Sequence, residues 1–174
     1  RDLKLIALEA LETATPQPRL AIALGEACSD LGDLPTARRA FVQAVRHAPR
    51  GSTEMLQAYY GLLATLDGDP EQRDRQLALC LEALEVYPLD AQLLSAMGSY
   101  LQSRDQLELA ARAFQTAFTY GKVDPRAWHL SEIFEMAAAF LALTRQVQGR
   151  DDEARDTLQQ ALGREVPIDI WTFC

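Results

Sequence analysis

The chain has 174 residues, 48% of them apolar, which suffices to bury the core of one domain or one short array of repeats. Its composition is rich in the helix formers Ala, Leu, Gln and Glu, which favours an all-α fold and argues against a sheet of any size. The net charge of −8 opposes binding to nucleic acid phosphates, and the sequence contains no apolar run of about 20 residues that would insert into a membrane.

Hydrophobic periodicity and helix-end signals predict nine helices along the chain. In chain order they cover residues 2–14, 18–31, 35–47, 52–67, 71–86, 90–103, 106–120, 125–148 and 151–163. Ser52 and Asp90 stand at N-cap positions, where a side-chain oxygen accepts hydrogen bonds from the first backbone N–H groups. Asp124 and Pro125 give the same signal for the long eighth helix, because proline suits the first helical position.

An internal repeat connects these helices. In two segments, twelve residues separate a Gly from an Ala, four more lead to a Phe, and three more lead to a second Ala. The matched positions are Gly25, Ala37, Phe41 and Ala44 in one segment, and Gly98, Ala110, Phe114 and Ala117 in the other. Weaker copies contain Gly61, Cys80 and Ala83, and Ala142, Ala154, Leu158 and Ala161. A Gly within a helix costs about 1 kcal/mol relative to Ala, so we expect each one to permit a close approach by a neighbouring helix.

The Gly, Ala, Phe, Ala pattern, with a period near 34 residues, resembles the tetratricopeptide repeat. The resemblance implies a single solenoid domain over residues 1–174, a right-handed superhelix of about four helix pairs. We expect an N-terminal helix at 2–14, repeats at about 18–51, 52–89, 90–123 and 124–167, and a C-terminal apolar segment at 168–174. The chain begins without Met and ends within this apolar stretch, which suggests a piece of a longer protein.

No catalytic motif is present, and we predict neither enzymatic activity nor a cofactor. His129 with Glu132 and Glu135 could share a helix face, but a metal site built from one His and two Glu is improbable, so no metal is predicted. His47 is expected to cap a helix end. Cys28, Cys80 and Cys174 are widely spaced and odd in number, which suits a reducing compartment and suggests a cytoplasmic location. Trp128 is open to two interpretations, as a core residue or as a ligand-stacking surface.

In the family that the chain resembles, partners bind the concave face formed by the first helix of each pair. The resemblance assigns to that face Arg19, Ile22, Glu26 and Ser29; Met55, Ala58, Leu62 and Thr65; Gln92, Ser95, Ser99 and Gln102; and Met136, Ala139, Leu143 and Gln146. Some members hold acidic chaperone tails with Lys, Arg and Asn on this face. The corresponding positions here carry no cationic side chain, so a clamp of that kind is improbable.

These features predict a scaffold that binds a protein or peptide partner, as one module of a larger, bacterial-type protein. Two alternatives remain open at this stage. The chain could be the non-catalytic repeat region of a larger enzyme, such as a glycosyl- or sulfotransferase. It could also be a solenoid that self-associates through its apolar ends.

Overall fold

The computed structural model describes residues 17–67 and 70–163, which form an all-α solenoid of successive helix hairpins. The helices are α1 (Pro18–Asp30), α2 (Leu34–His47), α3 (Thr53–Ala64), α4 (Arg73–Val86), α5 (Ala91–Gln102), α6 (Leu107–Tyr120), α7 (Ile133–Val147) and α8 (Asp151–Leu162). A short 3₁₀ turn, Pro70–Gln72, precedes α4. The helix predicted at 2–14 and the apolar segment at 168–174 lie outside the described residues.

The predicted N-caps at Ser52 and Asp90 are confirmed. The Ser52 hydroxyl accepts a hydrogen bond from the Met55 N–H at 3.2 Å, and the Asp90 carboxylate accepts one from the Leu93 N–H at 2.9 Å. Gly32, in the turn between α1 and α2, has a φ of 73°, a backbone conformation that side chains disfavour. Side-chain caps therefore mark the beginnings of α3 and α5, and a glycine turn follows the end of α1.

The helical glycines make room for the phenylalanine of the repeat. A Cβ atom on Gly25 of α1 would lie 2.6 Å from the Phe41 ring, and one on Gly61 of α3 would lie 2.4 Å from the same ring. Gly98 and Phe114 repeat this contact at 2.6 Å in the third pair. Phe41 thus fills the space between successive pairs, and the glycines make space for a ring rather than for the close approach of a helix backbone.

The second pair departs from this pattern. Cys80 of α4 stands where the first and third pairs have phenylalanine, and it is buried as a free thiol like Cys28. The first helices of the four pairs (α1, α3, α5 and α7) form a row. In this row, α1 packs on α3 and α5 packs on α7, whereas the backbones of α3 and α5 make little contact. The row is therefore open in its centre.

The predicted helix at 125–148 is wrong at its beginning, because α7 begins at Ile133. Residues 121–132, which we call the strap, form an irregular segment instead. The Asp124 carboxylate accepts hydrogen bonds from the Arg126 backbone N–H and guanidinium at 3.0 and 3.1 Å. This local turn competes with helix formation, so Asp124 does not act as an N-cap.

The strap is held across the beginnings of α3 and α5. The Lys122 N–H donates to the Leu89 carbonyl at 2.7 Å, and the Lys122 carbonyl accepts from the Ala91 N–H at 2.9 Å. Further on, the Thr53 hydroxyl donates to the Asp124 carboxylate at 2.6 Å. Among the helices of residues 17–67 and 70–163, none combines the length and apolarity needed to cross a bilayer.

Candidate functional site

Two crevices open along the row of first helices, and the larger one is polar. This crevice, of about 600 Å³, lies between α1 and the beginning of α3. Its charged groups are already paired with neighbours: the Arg19 guanidinium contacts Glu54 at 2.8 Å, and the Gln57 amide donates to Glu26 at 2.8 Å. Arg126, on its rim, is engaged by Asp124. A ligand entering here would have to compete with existing ion pairs.

The second crevice, which we call the central groove, has a volume of about 270 Å³ and lies in the opening between α3 and α5. Its walls come from α3, α5, the strap and α7, and most of them are apolar. The lining residues are Tyr60, Leu63, Ala64, Asp67, Gln92, Leu93, Ser95, Ala96, Ser99, Tyr100, Trp128, Leu130, Ile133, Met136 and Phe140. Small side chains from α5 (Ser95, Ala96 and Ser99) form one wall, and their size leaves room there.

The strap supplies the aromatic wall of the central groove. Trp128 remains 63% exposed although it belongs to an apolar lining. The strap is fixed above α5 because the Leu130 N–H donates to the side-chain oxygen of Gln92 at 2.9 Å. An exposed Trp on an anchored segment beside an apolar groove is a common feature of interaction surfaces.

A buried polar pair holds α3 against the beginning of α5 beneath the groove. The Tyr60 hydroxyl donates to the Asp90 carboxylate at 2.6 Å, and both side chains are buried. Burial raises the pKa of Asp90, while the hydrogen bonds from Tyr60 and from the Leu93 N–H oppose that rise. The Tyr60 ring thereby has a fixed position in the groove wall.

Two polar groups in the groove lining retain hydrogen-bonding capacity. The Asp67 oxygen Oδ1 accepts from the Gln76 amide at 3.0 Å and from the Tyr100 hydroxyl at 3.2 Å, which leaves Oδ2 without a partner among the described residues. Ser95 is only 7% exposed, and its hydroxyl is unpartnered within the described part of the chain. The groove is therefore mostly apolar, and its exposed Asp67 carboxylate is accessible to a ligand, whereas the Ser95 hydroxyl oxygen is shielded from solvent.

The residues predicted to form one concave face lie at different places in the structure. Gln92, Ser95, Ser99 and Met136 line the central groove, and Arg19, Ile22 and Glu26 line the polar crevice. Met55, Gln102, Ala139 and Leu143 line neither crevice.

Two predicted contact residues on α3 are buried. Ala58 has no exposed surface, so its predicted surface position is wrong: the side chain belongs to the core formed with Phe41 and Ala44. Leu62 is 6% exposed and belongs to the same core. The α3 residues that face the groove are instead Tyr60, Leu63 and Ala64. The reason is that α3 packs on α1 and α2 along the face that the tetratricopeptide resemblance assigned to partner binding.

Sequence reasoning missed the contribution of the strap and of Asp67. Nothing in the sequence between α3 and α4 indicates that Asp67 reaches Tyr100 of α5. In the sequence, Trp128 is the residue that indicates a binding surface here, because the repeat pattern assigns it no packing role. The helix predicted over residues 125–132 gives no indication that the Trp128 ring shares a groove lining with Leu130 and Ile133.

The sequence region around His129 does not build a metal site. Glu132 precedes α7, and His129 lies in the strap, so the helix face that would have grouped them is absent. The His129 ring nitrogen Nδ1 instead contacts the Ala127 carbonyl at 3.0 Å. Within residues 17–67 and 70–163, no three His, Cys, Asp or Glu side chains converge as metal ligands.

Solved structures with the same architecture are known. A crystal structure of MamA aligns over 91% of this chain and 84% of its own, with a TM-score of 0.68 and 19% sequence identity. A MamA fragment from Desulfovibrio magneticus RS-1 aligns over 84% of this chain and 74% of its own, with a TM-score of 0.61 and 20% identity. The likeness is one of fold, a solenoid of helical repeats. No protein-family model and no curated protein matches the sequence.

Proposed function

We propose that this protein is an interaction scaffold that binds an extended segment of a partner protein in the central groove. The observation that carries the proposal is the Trp128 ring, 63% exposed beside a groove whose lining is mostly apolar. Covering such a surface removes apolar area from water, so a ligand with a complementary apolar side chain is stabilised there.

The size of the groove favours a peptide over a small molecule. Sites that enclose a drug-sized ligand have volumes of about 300–1,000 Å³, and the central groove offers about 270 Å³ with one open side. One large side chain of a partner fits such a space while its backbone runs along the rim. This is the usual arrangement in which a helical groove reads an anchor residue of a peptide.

The chemistry of the lining favours binding over catalysis. Of the residues that line the central groove in the described structure, Asp67 alone is charged, and none is a His, Cys or Lys. A reaction site needs a nucleophile or an acid–base pair within reach of a bound substrate. The groove offers shape and aromatic surface instead.

Filling the groove tests the proposal. Peptides selected from a random display library on the wild-type protein are measured by fluorescence polarisation against Ser99→Trp, which places a large ring in the space left by the small α5 side chains. Ala139→Trp is the matched control, because Ala139 is exposed on α7 but does not line the groove. We expect Ser99→Trp to weaken binding at least tenfold and Ala139→Trp to leave it unchanged.

If Ala139→Trp weakens binding and Ser99→Trp does not, the binding surface lies on the exposed face of α7 and not in the groove. Equal binding by both variants would show that the groove is not the peptide site. Circular dichroism of both variants establishes that the helices are retained, so that a loss of binding reports on the groove and not on folding.

Self-association is a second candidate, supported by exposed apolar side chains on the last helix pair. Leu143 and Val147 of α7 are 49% and 61% exposed, and Leu158 and Leu162 of α8 are 45% and 88% exposed. Apolar surface of this kind favours contact with another molecule. Light scattering over a concentration series, with Leu158→Glu and Leu162→Glu combined as the comparison, tests this candidate: a mass that rises in the wild type alone supports it.

A further inference from the structure

Among the described residues that line it, the central groove contains a single fixed charge. Among its described lining residues, Asp67 is ionisable at neutral pH, and the rest are apolar, aromatic or neutral polar groups. Asp67 follows the end of α3 and is bonded by the Tyr100 hydroxyl of α5, so it marks the end of the groove where these two helices finish. A ligand lying in the groove therefore meets a negative charge at that end.

The described part of the chain satisfies only one oxygen of the Asp67 carboxylate. The hydrogen bonds from Gln76 and Tyr100 both go to Oδ1, and the side chain as a whole is exposed. Surrounding protein nevertheless raises the pKa of this carboxyl, because the two hydrogen bonds only partly offset desolvation. A cation beside Oδ2 would supply the missing compensation.

The aromatic groups next to Asp67 suit the same type of ligand. The Tyr100 ring lines the groove beside the carboxylate, and Trp128 and Tyr60 belong to the same lining. Aromatic faces attract Lys and Arg side chains in addition to apolar ones. No cationic residue of the described lining competes for these groups.

We propose that the central groove recognises a partner segment in which a large apolar anchor side chain is followed or preceded, within a few residues, by a Lys or Arg that binds Asp67. This inference rests on the function proposed above and specifies its ligand. The anchor occupies the apolar space beside Trp128, and the cation pairs with the Asp67 carboxylate. An acidic segment is repelled by the same carboxylate.

Asp67→Asn removes the charge with little other change. The asparagine oxygen takes the place of Oδ1, so the hydrogen bonds from Gln76 and Tyr100 are retained, while Oδ2 becomes an NH₂ group that repels a cation. Asp156→Asn, an exposed acid on α8 that does not line the groove, is the matched control for the same change in net charge. Peptides selected on the wild-type protein are measured against both variants.

We expect the selected peptides to carry a Lys or Arg near an apolar residue. Asp67→Asn should weaken their binding about tenfold, and Asp156→Asn should not weaken it. Replacing the peptide's basic residue with norleucine should produce the same loss on the wild type and no further loss on Asp67→Asn.

Two results separate this inference from the function on which it rests. Peptides without basic residues that bind Asp67→Asn as well as the wild type, and still lose binding in Ser99→Trp, would overturn the cation preference and leave the scaffold proposal intact. A failure to select any peptide, or undiminished binding by Ser99→Trp, would overturn both.

Discussion

At the scale of single residues, the contact between Gly98 and the Phe114 ring gives a sharp test of the repeat packing. A Cβ at position 98 would lie 2.6 Å from a ring that is fully buried and stacked on Phe140 at a centroid distance of 5.5 Å. The ring cannot move away without displacing its own neighbours. We expect Gly98→Ala to lower the free energy of unfolding by about 1–3 kcal/mol, measured by urea denaturation.

Gly163→Ala is the matched control for Gly98→Ala. A Cβ at Gly163 would meet its nearest neighbour at 3.4 Å, an ordinary contact, and the residue has a φ of −82°. This substitution should be neutral or slightly stabilising. Phe114→Leu combined with Gly98→Ala should recover part of the loss, since the clashing ring atoms are gone. Equal effects of the two glycine substitutions would contradict the proposed packing.

The buried Tyr60–Asp90 hydrogen bond predicts a pH-dependent mutant effect. Because burial raises the pKa of Asp90 in the folded protein, stability falls as pH rises from the unfolded value of about 3.9 through that raised pKa. The Tyr60 hydroxyl offsets this loss by donating to the ionised carboxylate. Tyr60→Phe should therefore cost about 1.5–3 kcal/mol above the raised pKa and less below it.

Urea denaturation at several pH values checks the prediction for Tyr60→Phe, with Tyr87→Phe as the control. The Tyr87 hydroxyl donates to the Ser52 carbonyl at 2.7 Å, an acceptor that does not titrate. Its removal should cost about 1 kcal/mol at every pH. If the cost of Tyr60→Phe is likewise constant with pH, the Tyr60 hydroxyl does not distinguish the two protonation states of Asp90.

At the scale of secondary-structure elements, the strap depends on Asp124 for its attachment to α3. The carboxylate is held by Arg126 and Thr53, and these hydrogen bonds lower the pKa of Asp124. We expect Asp124→Ala to detach the strap, to speed hydrogen exchange at the Leu130 amide that bonds Gln92, and to cost about 1 kcal/mol of stability.

Asp152→Ala is the control for Asp124→Ala. Asp152 is highly exposed, and its ion pair with Arg155 lies within α8, so its removal should change stability by less than about 0.5 kcal/mol and leave the strap protected. Unchanged exchange at Leu130 in Asp124→Ala would show that the Lys122 backbone contacts suffice to hold the strap. Peptide binding should weaken in parallel with strap detachment, because Trp128 is carried on this segment.

The elements differ in how far local sequence determines them. The helices predicted at residues 35–47 and 90–103 lie close to their observed bounds, because a capping residue and apolar periodicity act within a few residues of each other. The strap could not be predicted in this way. Its conformation depends on Thr53 and Leu89, which lie far from Asp124 in sequence and offer no local signal. The same reason explains the candidate site: Gln92, Ser95 and Ser99 follow from helix periodicity, whereas Trp128 and Asp67 reach the groove through contacts between distant segments.

At the scale of the whole molecule, each helix pair is stabilised by its neighbours, so a defect at one end should remain local. The last pair is joined to α6 by Arg145, a largely buried side chain of α7. Its guanidinium donates to Gln115 of α6 at 2.7 Å and also to Thr157 of α8, and it lies 3.5 Å from the Glu153 carboxylate. Arg145 therefore links three helices at the C-terminal end of the described solenoid.

Arg145→Met should lower the stability of the last pair by about 2 kcal/mol, because it leaves the polar partners of the guanidinium unsatisfied in a partly buried site. Hydrogen exchange with mass spectrometry should then show faster opening in α7 and α8 and unchanged protection in α1, α2 and α3. Arg155→Met is the control, since Arg155 pairs with Asp152 on the exposed surface of α8. Uniformly faster exchange from α1 to α8 would indicate that the solenoid opens as one cooperative unit; in that case, partner binding at the central groove would stabilise both ends of the molecule equally.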